Sequence, residues 1–226
     1  MKQILSVILI ISLSSALADQ TAELGSRNIH GTGPLEIWPT IYSQTYSYEN
    51  LLNGYSNYSA GNRWVCDDFE VTGFSYVFDI WVWMIWTGEQ GTEMNLVFSV
   101  DDAGDSDPNT NTDLMAESFP CTNTFTGDSN WGYDIYEIYI DIYEGPFFEL
   151  IPGTHYYFEV QADTWDNCFI LVSHNYNGDY CWYNDGSGVW VRSDIMFGED
   201  SDMFFNFVGQ ILTLESETWG SIKTLF

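Results

Sequence analysis

Between Cys66 and Trp86 the chain reads CDDFEVTGFSYVFDIWVWMIW: a cysteine, two carboxylates, one glycine, then an apolar and aromatic run broken only by Asp79. Successive side chains of a strand point to opposite faces, so Trp81, Trp83 and Ile85 share one face and Val82, Met84 and Trp86 the other. With both faces apolar, the segment predicts a central strand buried between layers. Burying such side chains contributes about 1.5–3 kcal/mol each, so core packing alone accounts for these indoles.

The rest of the chain agrees with an all-β fold. Segments rich in β-branched and aromatic residues, bounded by Gly, Pro, Asn or Asp, recur at 94–100, 133–143, 156–162, 168–173, 180–183, 189–192 and 203–208. An earlier segment, 35–49, reads as an edge or first strand because of Pro39. No helix-period stretch of useful length precedes the tail. This pattern predicts a single antiparallel β-sandwich or jelly roll over residues 35–211. Residues 53–62, NGYSNYSAGN, read as a loop, and Asn57-Tyr58-Ser59 has the form of a glycan acceptor.

The ends differ from this body. Lys2, the apolar run from Ile4 to Leu13 and the Ala16-Leu17-Ala18 site make residues 1–18 a secretory signal peptide, too short in its apolar part to span a bilayer. Residues 19–34 are a small, polar leader. In the tail, residues 212–226, Trp219, Ile222 and Phe226 fall on one side if the segment coils, although Gly220 weakens a helix by about 1 kcal/mol. It reads as a packed terminal element or as a docking or sorting peptide. The roughly 208 residues left after the signal suit one domain with a full core.

A formal net charge of −28 excludes a nucleic-acid binder, which needs clustered Lys and Arg. Beyond the signal only Arg27, Arg63, Arg192 and Lys223 are permanently positive. A composition with 18% aromatic residues argues against disorder despite that charge. Four cysteines in an exported chain predict two disulfides. Cys168–Cys181 is favoured because the turn HNYNGD would set two strands opposite each other, which leaves Cys66–Cys121.

Two places could carry binding chemistry. Asp105, Asp107, Asn109, Asn111 and Asp113 recur every second residue, an alternation of hard oxygens that suits calcium. The match to an EF-hand loop is partial, with Thr110 at the turn-glycine position and Ala116 at the bidentate-glutamate position. The second place is a set of aromatics beside Asn, Asp and Gly: Trp131, Trp165, Trp182, Tyr183 and Trp190. Indoles next to amides and carboxylates suit a sugar, whose apolar face stacks while its hydroxyls are bonded. Enzymatic motifs are lacking: no G-x-S-x-G, no H-E-x-x-H and no Walker loop. His30, His155 and His174 are scattered along the chain. The jelly-roll xylanases are similar in composition, but neither of their catalytic glutamate motifs is present.

The order Asp67-Asp68-Phe69-Glu70-Val71-Thr72-Gly73, the strand at Asp79–Trp83, the acidic Asp105-Ser106-Asp107-Pro108, and Leu150-Ile151-Pro152-Gly153-Thr154 resembles a recurrent module of secreted bacterial proteins. The resemblance covers about Val65 to Gly209 and rests chiefly on Asp67-Asp68-Phe69 and Pro152-Gly153-Thr154. It implies a β-sandwich found beside varied C-terminal anchors and sorting signals, with a role mostly unassigned. The tail Thr218–Phe226 is similar to short C-terminal ends of exported bacterial proteins. Together these imply a secreted bacterial surface protein and supply no catalytic residue. The sequence therefore predicts a non-enzymatic, exported binding module for carbohydrate or a surface component, with calcium as a candidate cofactor. The alternatives are a structural subunit of the envelope and a small secreted glycosidase.

Overall fold

The structure, a computed structural model, describes residues 38–143, 145, 148–174 and 180–212. The signal segment, the leader and the tail lie outside the described residues. Strands β1 (Thr40–Gln44), β2 (Leu51–Ser56), β3 (Trp64–Glu70), β4 (Phe74–Trp86), β5 (Glu93–Val100) and β6 (Thr112–Asn130) come first. They are followed by β7 (Tyr133–Asp141), β8 (His155–Ala162), β9 (Cys168–Ser173), β10 (Trp182–Asn184), β11 (Val191–Arg192), β12 (Asp202–Met203) and β13 (Phe205–Leu212). A single turn of α-helix, α1 (Ser193–Phe197), links β11 to β12.

All pairings are antiparallel, in the order β1-β13-β4-β7-β6-β5-β8-β3-β10-β11. Strand β9 joins the end of β4 through Met84–Trp86 and carries β2 and β12. The expected antiparallel all-β fold is therefore present, as one continuous sheet that curls over a shared core. Continuity comes from β6, whose first half pairs with β5 and whose second half, from Cys121, pairs with β7. Curling brings rings of the two halves together: Phe69 lies 4.9 Å from Phe207, Phe98 5.3 Å from Phe207, and Phe158 5.4 Å from Phe205.

The central-strand expectation for β4 holds on both faces. Val82, Met84 and Trp86 belong to the main core, with Val65, Leu96, Phe158 and Phe207. Trp83 and Ile85 form a second apolar cluster on the opposite face with Ile135, Leu171 and Phe204, and Trp81 packs on it. Tyr46 closes that cluster by stacking on Trp83 and donating its hydroxyl to Asp128 Oδ2 at 3.1 Å.

Three local expectations are corrected. Asn53–Ser56 is strand rather than loop, because Gly54 lets β2 lie against Phe169 of β9, where an added Cβ would come within 3.0 Å. Asn57 is no glycan acceptor: it is buried, its Nδ2 donates to Val160 O at 2.7 Å and its Oδ1 accepts from Ala162 N at 2.8 Å. Neither disulfide forms, and Cys66, Cys121, Cys168 and Cys181 are all free thiols. Strand β9 does not pair with β10, so Cys168 faces Trp86 of β4 while Cys181 leads into a strand paired with β3. Between Cys66 on β3 and Cys121 on β6 lie β8 and β5. Three strand spacings are about 14 Å, twice the reach of a disulfide.

Candidate binding face

Strand alternation defines a second, polar face on the half of the sheet built from β5, β8, β3 and β10. On β8, Tyr156, Phe158, Val160 and Ala162 enter the core, which turns His155, Tyr157, Glu159 and Gln161 outward. On β3, Val65 and Phe69 enter the core, which turns Trp64, Cys66, Asp68 and Glu70 outward. Register then sets these in rows. Trp182, Cys66, Glu159 and Val97 face one another across four strands, as do Asp68, Tyr157 and Ser99 across three. Arg192 of β11 continues the first row beside Trp182.

The inward Asp67 between them is an exception to the apolar core. It is fully buried and accepts Met203 N at 2.6 Å and Asp68 N at 3.1 Å. Burial first, then the charge of nearby Asp202, pushes its carboxyl well above the usual range. Asp202, itself buried, accepts from Gln44 Nε2 at 3.3 Å. This acid pair ties β3 to β12 inside the core.

Glu159 is electrostatically the most informative group on the outer face. Desolvation, with a smaller contribution from Asp113, pushes its carboxyl up to about 8. A carboxyl in this state is neutral at pH 7 and can donate a hydrogen bond. His155 is held between two carboxylates: Nε2 lies 2.8 Å from Asp68 Oδ2 and Nδ1 3.3 Å from Asp101 Oδ2. Only the doubly protonated ring donates to both. Nothing in the sequence marked His155, because its partners are 87 and 54 residues away.

The acidic loop 101–111 lies against this face. Asp101 accepts Gly104 N at 2.7 Å, Asp105 N at 3.3 Å and Ser106 N at 3.1 Å. Burial works against its charge, but these amides and His155 outweigh it and hold the carboxyl below the usual range. Asp105 Oδ1 accepts Asp107 N, and Asp107 Oδ1 accepts Asn109 N. Asn109 clasps the backbone of Trp190, its Oδ1 accepting Trp190 N at 2.8 Å and its Nδ2 donating to Trp190 O at 3.2 Å. Asn111 donates to Ser99 Oγ at 3.3 Å, and Asp113 pairs with Ser99 at the start of β6. Three of the five proposed calcium donors thus serve the loop's own amides or Trp190. Among the described residues no group of three or more His, Cys, Asp or Glu is arranged to hold a metal ion.

The five aromatics selected from sequence fall in separate places. Trp131 is half-exposed in the β6–β7 turn with a φ of 52°. Trp165 is 90% exposed in the connection between β8 and β9. Tyr183 points into the core and accepts from Arg63 Nη1 at 3.2 Å. Trp182 on β10 and Trp190, which directly precedes β11, are partly exposed at the β10–β11 end of the polar face. Trp64, which the sequence did not single out, lies on the neighbouring β3 opposite Asn184 and is likewise partly exposed. The motif residues Asp67, Asp68 and Phe69 prove to be structural links: to Met203, to His155 and to the aromatic core, respectively.

No protein-family model matches the chain, and no curated protein matches it. No helix among the described residues is long and apolar enough to cross a membrane.

Proposed function

We propose that the protein is an exported, non-enzymatic β-sandwich module that binds carbohydrate on the outer face around Trp64, Trp182 and Trp190. The observation that carries this reading is that strand register puts these three indoles on neighbouring strands of one face: Trp182 lies two residues before Asn184, the partner of Trp64, and Trp190 directly precedes β11, which pairs with β10. They belong to neither apolar cluster and retain partial exposure, and the neutral Glu159 carboxyl lies in the same row as Trp182, with Cys66 between them. An indole stacks on the apolar face of a pyranose, and uncharged donors and acceptors take its hydroxyls. Export is supported by the tripartite start of the sequence, and a cell-surface setting by the resemblance to secreted bacterial modules.

Binding to a panel of soluble and insoluble polysaccharides tests it, read by tryptophan fluorescence and co-sedimentation. Binding is expected, and Trp64→Ala with Trp182→Ala should weaken it at least tenfold. A panel without binders, or binding indifferent to the double variant, refutes the assignment. The raised Glu159 carboxyl favours a second reading, a small glycosidase with Glu159 as general acid. Release of reducing sugar that is abolished by Glu159→Gln would establish it.

A further inference from the structure

Loop 101–111 leaves the sheet at Val100 and returns at Thr112, yet it does not stand free in solvent. It is fixed near its start by Asp101 against His155 and near its end by Asn111 on Ser99. Between them, Asn109 is clasped to Trp190 through two hydrogen bonds, and Pro108 is buried. Ser99, Tyr157 and Cys66 are correspondingly shut off, at 0% exposure, although all three point away from the core. Cys66 belongs to neither apolar cluster and sits on the outer side of β3, in the row between Trp182 and Glu159.

The attachment is poised rather than deep. The loop carries Asp102, Asp105 and Asp107, and the face beside it carries Asp68, Asp113 and Glu159, with His155 set between Asp101 of the loop and Asp68 of β3. Ser106 takes a left-handed φ of 54°, a conformation unfavourable for a non-glycine residue. We propose that loop 101–111 is a strap that opens at the Asn109–Trp190 clasp, and that its opening controls access to the outer face at Cys66 and Glu159. This closure is a property of the chain itself and holds whether or not the face takes carbohydrate.

Cys66 is a built-in reporter. Its thiol is buried on the strapped face, whereas Cys168 and Cys181 lie in the main core and serve as internal controls. Alkylation by iodoacetamide of the full chain in native buffer, mapped by peptide mass, reads each thiol separately. Asn109→Ala removes both clasp bonds and should raise the Cys66 rate roughly tenfold, because the strap then loses its hydrogen bonds to Trp190. Cys168 and Cys181 should stay protected. Asn109→Asp keeps the acceptor for Trp190 N and loses the donor, so an intermediate rate is expected. An unchanged Cys66 rate overturns the strap. So does a parallel rise at all three thiols, which would report unfolding instead.

Discussion

Glu159 carries an energetic consequence that can be measured without a ligand. Its carboxyl is held at about 8 in the fold against an ordinary value of 4.5, chiefly by desolvation. The folded chain therefore binds a proton that the unfolded chain has released between those values. Its contribution to stability is fully present below about pH 4.5 and is lost as pH rises through about 8, on the order of a few kcal/mol. Asp101 runs the other way: its lowered value keeps the strap latched at neutral pH and releases it only as pH falls below the ordinary carboxylate range. The melting temperature should thus decline from pH 5 to pH 9. Glu159→Gln, neutral at every pH, should flatten that decline, and an equal slope in both proteins would rule out the assignment.

Strands disclosed themselves unevenly. Those with apolar inward residues on consecutive odd or even positions, such as β4 and β9, are legible in the sequence because their period matches the pleat. Strand β6 is not. Its residues TDLMAESFPCTNTFTGDSN are polar and mostly exposed, and Pro120 argues against a central strand. It is strand because its partner changes there: Pro120 ends the run paired with β5, and Cys121 begins the one paired with β7. That exchange is a tertiary fact with no local signature. The same holds for the candidate site. Trp182 and Trp190 are legible as indoles beside amides, whereas Trp64 and Glu159 are hidden in strands whose outer positions are themselves buried. Strand order also undoes the cysteine arithmetic, since evenness of count says nothing about which strands are neighbours. Four thiols per chain should therefore titrate with an aromatic disulfide reagent in denaturant without reductant. Fewer than four would restore a disulfide and require a different strand arrangement around Cys66 or Cys181.

Seen whole, the molecule is a thin, continuous sheet folded over one aromatic core and carrying a formal net charge of −28. Self-repulsion on that scale opposes compaction, and salt screens it over a Debye length of about 10 Å at 0.1 M. Raising sodium chloride from 10 mM to 0.5 M should therefore raise the melting temperature, and potassium chloride should do the same. This generic effect must be separated from a calcium site at Asp105, Asp107, Asn109, Asn111 and Asp113. The side chains of Asp105, Asp107 and Asn109 are engaged by the strap's own amides or Trp190, so a bound ion would have to exchange these hydrogen bonds for coordination. The two cases differ in dose and in residue dependence. Screening acts at matched ionic strength whatever the cation and survives Asp105→Asn with Asp107→Asn. Site binding would add a rise at millimolar calcium, reversed by chelator and lost in that double variant. Because Asn109 is both a proposed ligand and the strap's clasp, calcium binding that reorients it should also change Cys66 alkylation, whereas sodium at the same ionic strength should not.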